Sequence, residues 1–323
     1  MSTADLRPDL SVIIVNWNVK KQLEACLQSL YEHTQQVSCE VLVVDNASQD
    51  GSPEMIAAEF PKVQLLRNPA NVGFARANNQ AITLSKGRYV LLLNPDTLLH
   101  DDALSRMVSF LDHRADIGVL GCKVLTAEGK IDTRCARRFP TLWGELFELA
   151  RLSYRFPHNR LFGEYLMTYW DHGDSREVDA ISGACLMVRR AAIEQVGLLD
   201  ESFFLYGEDI DWCYRCKEAR WKVFYYSEAA IIHLGSQSTQ QLEDEMGLER
   251  FRSRDQLFRK HRGQVYAWTY KALVFLLAVI KEMIFGMGFL RNIGSEKRDW
   301  YSRKIKMHWR VLLWALKERP NLC

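Results

Sequence analysis

At 323 residues, 48% hydrophobic and 25% charged, the chain has enough apolar material for a full core, so length predicts one large domain or one domain with an appendage. A formal net charge of +2 argues against wholesale nucleic-acid binding, although the C-terminal portion is basic. Eight scattered cysteines, with Cys213 and Cys216 the sole CxxC, argue against a disulfide framework or a paired zinc site and read as reduced, buried thiols.

Met1 to Asp9 contains Asp5, Arg7, Pro8 and Asp9 and no apolar run, so no signal peptide is expected and the chain is placed on the cytoplasmic side. Val12-Ile13-Ile14-Val15 is a β-branched run suited to a strand buried on both faces. After Asn16-Trp17-Asn18, Leu23, Leu27 and Leu30 recur at helical spacing. Val41 to Val44 forms a second strand, followed by Asp45-Asn46-Ala47-Ser48, and Val63 to Leu66 a third. Phe74 to Ser85 reads as a helix, and Tyr89 to Leu93 as a fourth strand ending in Asn94-Pro95-Asp96. This alternation predicts an α/β fold with a mostly parallel sheet covered by helices. Ligands of such sheets bind beyond the carboxyl ends of the strands, where Asn16, Asp45 and Asp96 all fall.

From Arg134 to Arg176, aromatics, arginines and prolines mix without a period, as in a substrate-facing excursion or a partly helical insert. Val178 to Val188 is strand-like around Ser182-Gly183-Ala184, a helix follows at Ala191 to Val196, and Lys222 to Tyr226 and Ala229 to His233 read as two strands. The domain boundary is set at 240/241, with a catalytic domain over 1–240 and a helical, basic extension over 241–323. In that extension, Ala272 to Ile280 is far shorter than the roughly 20 apolar residues that span a bilayer, because Lys271, Lys281 and Glu282 bound it. Tyr301, Ile305, Trp309, Leu312, Leu313 and Leu316 share one helical face, and Arg303, Lys306, Arg310 and Lys317 another. That pattern predicts attachment to an anionic membrane surface in preference to packing on the protein itself or on a second subunit.

Three clusters carry chemistry. Asn94-Pro95-Asp96 ends a strand, where a carboxylate can meet a metal-diphosphate, although these are also ordinary turn residues. Asp45 suits either a turn or recognition of a base or ribose. Glu208-Asp209-Ile210-Asp211 sets three acids against Phe203, Phe204, Tyr206 and Trp212, an environment that raises proton affinity and suits a general base. Acids at that place also complement a helix N-terminus. His233 ends a strand, as a structural histidine or a metal ligand.

The order and spacing of these segments resembles the family-2 inverting glycosyltransferases of the GT-A fold, especially their rhamnosyltransferase-like branch. The resemblance runs from Leu10 to Ser238 and rests on Ser11 to Asn18, Val43 to Ser48, Asn71 to Ala75, Leu93 to Asp96, Ser182 to Cys185, Gly197 to Glu201, Phe203 to Asp211, and His233. It implies a GT-A fold, Rossmann-like with flanking helices, followed here by the helical extension. It also implies nucleotide binding by Asn16 and Asp45, with Asp45 reading a pyrimidine ring, and Asn71 and Gly73 lining the nucleotide and phosphates. By the same resemblance Asp96 binds Mg or Mn directly or through water, Asn94 replaces the first acid of the family's acidic motif, and His233 is an additional metal ligand. Asp209 matches the base, with Glu208 positioning the acceptor for a single displacement with inversion. The resemblance further implies a dTDP-deoxyhexose donor such as dTDP-rhamnose and a lipid-linked or cell-envelope glycan acceptor, at the inner face of the cell membrane. Alternatives are a UDP-sugar transferase with another glycan acceptor, or an inactive glycan-binding or scaffold homologue. A nucleotidyltransferase is disfavoured because Asn16-Trp17-Asn18 stands where a Gly- and basic-rich triphosphate loop belongs.

Overall fold

The computed structural model describes residues 7–235, 243–291 and 297–317. The opening hexapeptide on which the expectation of no signal peptide partly rests, the 240/241 boundary and Cys323 all lie outside the described residues.

Strands β1 (Leu10–Asn16), β2 (Cys39–Asp45), β3 (Gln64–Arg67) and β4 (Tyr89–Leu93) alternate with helices α1 (Lys20–His33), α2 (Ser52–Glu59) and α3 (Phe74–Leu84). Every residue of β4 is buried, as a strand covered on both faces requires, and each such apolar side chain contributes about 1.5–3 kcal/mol. In α1 the predicted spacing puts Leu23, Cys26, Leu27 and Leu30 inward.

The chain continues through β5 (Thr97–Leu98), α4 (Ala103–Asp112), β6 (Ile117–Leu125), β7 (Ala136–Arg137), α5 (Leu142–Leu149), α6 (Leu152–Arg155), β8 (Arg176–Glu177) and β9 (Ala180–Ile181). It then forms β10 (Cys185–Arg189), α7 (Arg190–Val196), α8 (Glu208–Glu218) and β11 (Lys222–His233). The main sheet has nine strands in the order β3-β2-β1-β4-β10-β6-β11-β5, with β8 also on β11; β7 and β9 form a separate pair. The first four are parallel, β10 is antiparallel to both its neighbours, and β11 is parallel to β6. Two reversals at β10 leave β4, β6 and β11 pointing the same way. Their carboxyl ends, and the turn that leads into β10, therefore share one edge with those of β1 and β2.

Two expectations need correction. The strands over 222–226 and 229–233 are one, because a register shift between Tyr226 and Ala230 bends β11 without ending it. The strand-like run over 178–188 is broken at Ser182–Ala184 into β9 and β10.

The chain divides into two compact units: Met1–Thr141 with Leu152–Gln241, and Leu142–Arg151 with Leu242–Cys323. Helix α5, expected inside the catalytic domain, groups instead with the C-terminal helices α9 (Glu243–Arg262), α10 (Gln264–Arg291) and α11 (Lys297–Lys317). The core of that unit contains Phe258, Tyr270, Val274, Ala278, Val311, Leu312 and Trp314. Helix α10 is unbroken for 28 residues, about 42 Å, and by length and composition is apolar enough to cross a membrane. The run Ala272–Ile280 is only part of this helix; Lys271 beside it turns inward, its Nζ 4.9 Å from the Trp314 ring centroid, and Lys281 and Glu282 are half-buried. What remains outside is an apolar stripe of Val265, Trp268, Leu276, Ile280, Met283, Ile284, Met287 and Leu290. The predicted apolar face of α11 is split: Leu312 joins the core, whereas Trp309 and Leu316 are exposed.

Candidate active site

The first cluster lies where β1 and β2 end in register, with Asn16 beside Asp45. Both are buried, at 0% and 2% exposure. Asn16 Nδ2 donates to Asp45 Oδ1 at 2.9 Å and to Ser48 Oγ at 3.0 Å, and the Ser48 N–H donates to Asp45 Oδ2 at 2.9 Å. This pairing fixes the amide's orientation and leaves Asn16 Oδ1 buried without a partner among the described residues. A buried acceptor left open beside a carboxylate is suited to a ligand's N–H donors.

Asn71 and Gly73 lie on the adjoining loop. Asn71 Oδ1 accepts the Gly73 N–H at 3.0 Å, closing a turn. Gly73 has φ +86°, and a Cβ there would lie 2.6 Å from the Phe204 carbonyl oxygen. The same carbonyl accepts the Phe74 N–H at 2.8 Å. Gly73 thus permits the segment before α8 to pack on the start of α3, a structural duty that the expected phosphate-side role does not include.

The second cluster joins the end of β4 to the end of β11. Asp96 Oδ1 is 3.1 Å from His233 Nε2, with both side chains largely buried, and Asn94 Nδ2 is 3.4 Å from the same nitrogen. The Leu234 N–H donates to the Asp96 carbonyl, and Thr97 Oγ1 to that of Asn94, which fixes both strand ends. Among the described residues no group of three or more His, Cys, Asp or Glu side chains assembles to hold a metal. The donor set is one carboxylate and one imidazole, with an amide beside them. It fits a cation whose remaining ligands come from a diphosphate, not one caged by protein alone.

The third cluster is the start of α8. Asp209 Oδ2 accepts from Arg137 Nη2 at 2.6 Å and from the Gly183 N–H at 3.2 Å, and Oδ1 accepts from the Ile210 N–H at 2.8 Å. Glu208 is 5% exposed, and its Oε2 lacks a partner among the described residues. Burial, and then the neighbouring Asp209 charge, push its carboxyl up to about 8. The third acid of the motif is structural, since Asp211 is fully buried and paired with Arg215 at 2.9 Å, one helical turn on. Cys213 and Cys216 are buried thiols pushed upward by desolvation, as expected of core cysteines.

The turn Ser182–Ala184 links the clusters. The Ala184 carbonyl accepts the Asn94 N–H at 3.1 Å, the Gly183 N–H reaches Asp209, and a Cβ on Gly183 would lie 3.5 Å from the Phe74 ring. Sequence reasoning did not find Arg137, which sits in the unpatterned stretch 72 residues from its partner. It also did not find Asn79, whose amide pairs with both backbone groups of Leu199 and so ties the Gly197–Glu201 segment to α3.

Residues 8–260 match the family model described as "Glycosyltransferase like family 2". The chain belongs to this glycosyltransferase family. Among its relatives is the N-acetylglucosaminyl-diphospho-decaprenol L-rhamnosyltransferase of Mycobacterium tuberculosis, 30% identical over 71% of this chain and 77% of the relative. Another is the low-salt glycan biosynthesis hexosyltransferase Agl10 of Haloferax volcanii, 26% identical over 70% of this chain and 67% of the relative. A mannosyltransferase of Pyrobaculum calidifontis, solved with GDP-Man and Mn2+, has a similar fold at TM-score 0.54 and 15% identity, over 97% of this chain and 89% of that one. The family-2 chain described here thus has the GT-A fold and is a glycosyltransferase.

Proposed function

We propose that the chain is an inverting, divalent-cation-dependent transferase that moves a deoxyhexose, rhamnose first among candidates, from a dTDP-sugar to a lipid-linked glycan. The observation that carries this reading is the gathering of Asn16–Asp45, Asp96–His233 and Glu208–Asp209 around one sheet edge. The 30% identity to a rhamnosyltransferase named for N-acetylglucosaminyl-diphospho-decaprenol supports the sugar and the acceptor class.

In this reading the open Asn16 Oδ1 and the Asp45 carboxylate accept N–H donors of the nucleobase, such as the imide N–H of thymine or uracil. Asp96 and His233, with Asn94 beside them, hold Mg or Mn on the donor diphosphate. That cation, when bound, neutralises the departing charge as a Lewis acid. Asp209 accepts the acceptor hydroxyl's proton as it attacks the anomeric carbon, while the C–O bond to the diphosphate breaks on the opposite face. Glu208, protonated at neutral pH, is a donor to the acceptor. The exposed α10 stripe and the basic residues of α11 seat the chain on the inner face of an anionic membrane, where a lipid-linked acceptor is found.

The test is transfer from labelled dTDP-rhamnose to N-acetylglucosaminyl-diphospho-decaprenol in detergent, with and without Mn or Mg, beside a panel of UDP-sugars. Rhamnosyl product that needs metal and vanishes in Asp209→Asn is the expected result. Turnover of a UDP-sugar alone replaces the donor assignment. Donor binding with no transfer to any acceptor favours a glycan-binding homologue. An Asp209→Asn variant as active as the parent removes the base assignment.

A further inference from the structure

We infer that Arg137 is a positioning residue: it holds Asp209 as the charged member of the Glu208–Asp209 pair and so determines which of the two carboxylates takes the acceptor's proton. This rests on the reading of Asp209 as the base and adds the device that makes it so.

Two adjacent acids at a helix start are chemically almost alike, and only their surroundings can separate them. Those surroundings differ sharply here. Asp209 has a donor on each oxygen, one of them a guanidinium at 2.6 Å with only 15% of its side chain exposed. Glu208 has an oxygen with no partner among the described residues and almost no solvent. Two carboxylates so close do not ionise together easily. The three donors favour negative charge on Asp209, and burial favours the proton on Glu208, whose carboxyl is displaced upward.

Among the other charged or titratable groups, Asp211 on α8 is paired with Arg215 yet still adds to the upward displacement of Glu208, and Cys213 is a buried thiol pushed upward by desolvation. Arg134, from the turn before β7, is paired with Asp132 at 2.8 Å. Arg137 alone among these donates a hydrogen bond to the pair. Its placement is built rather than incidental: the β7–β9 pairing sets Arg137 opposite Ala180, just before the turn whose Gly183 N–H binds the same Asp209 oxygen.

Removing its charge should raise the lower apparent pKa of the pair, because the guanidinium favours the ionised form of the carboxylate it touches. A lysine should keep most of that effect. The experiment is a 13C NMR titration of the full chain with carboxyl-labelled Asp and Glu, comparing the parent, Arg137→Met and Arg137→Lys. Glu208→Gln and Asp209→Asn assign the two steps, and melting curves confirm that each variant is folded. The expected result is a rise of about 1 pH unit or more in the lower step of Arg137→Met, with Arg137→Lys close to the parent. With dTDP-rhamnose and N-acetylglucosaminyl-diphospho-decaprenol, the acid limb of kcat/KM should rise with it while the donor KM holds. A folded Arg137→Met whose titration matches the parent overturns the inference. An Asp209→Asn variant that still transfers sugar, with the Arg137→Met titration displaced as expected, defeats the base reading and leaves the charge-holding role standing.

Discussion

Glu208 should make the protein less stable as pH rises, and Glu208→Gln should remove that loss. Its carboxyl ordinarily titrates near 4.5 but is pushed to about 8 in the folded chain. Below 4.5 both folded and unfolded chains hold the proton, so the group has no effect there. Between 4.5 and 8 the unfolded chain releases it and the folded chain does not. Folding therefore loses about 1.4 kcal/mol per pH unit across that window, on the order of 5 kcal/mol in all, and nothing more above it. A neutral glutamine of nearly the same shape abolishes the difference. Urea unfolding of the parent and Glu208→Gln at several pH values between 4.5 and 8.5 is the assay, with m-values checked for constancy. The variant should match the parent at the acid end and gain steadily toward pH 8. Curves that stay parallel across the range would refute the claim that burial and the Asp209 charge keep Glu208 protonated.

Asp96→Asn and His233→Ala should each weaken Mn-dependent binding of a nucleoside diphosphate by about tenfold or more in calorimetry, the cost typical of losing one charged ligand contact. Binding that is equally strong with and without metal in the parent would contradict the cation site. Gly73→Ala combines a left-handed backbone with a Cβ pressed on the Phe204 carbonyl, so a destabilisation of about 1–3 kcal/mol is expected in the same urea assay. An unchanged midpoint would mean that this loop yields freely. On α10, Leu276→Glu with Ile284→Glu should move the protein from pellet to supernatant when sedimented with anionic vesicles. Unchanged pelleting would remove the stripe from the membrane contact.

The parallel half of the fold was legible because its strands are buried on both faces and spell themselves as runs such as Val41 to Val44. The polar residues ending those strands were legible for the same reason, since strand ends in such sheets are where ligands bind. From Arg134 to Arg176 nothing was legible. Strands β7 and β8 are two residues each, too short for any alternation to register, and the pairing of Arg137 with Asp209 is purely tertiary. The full length of helix α10 was not legible for a different reason: a lysine breaks an apolar run on paper whether it faces solvent or, like Lys271, an indole inside the bundle. The resemblance separated Asp209 from Glu208 by role but could not give the physical reason, which is tertiary: Arg137 pairs with Asp209, Arg215 with Asp211, and Glu208 Oε2 has no partner among the described residues.

Strand β11 has a consequence for the order in which the protein is made. Asn16, Asp45 and Asp96 leave the ribosome within the first third of the chain, on or just after strands that pair among themselves. His233 arrives last, on the only strand that pairs with β5 among the described residues. In the proposed reading, a nascent chain in which that strand has not yet docked would have the residues assigned to the nucleobase and Asp96, but not the imidazole assigned to the cation beside it.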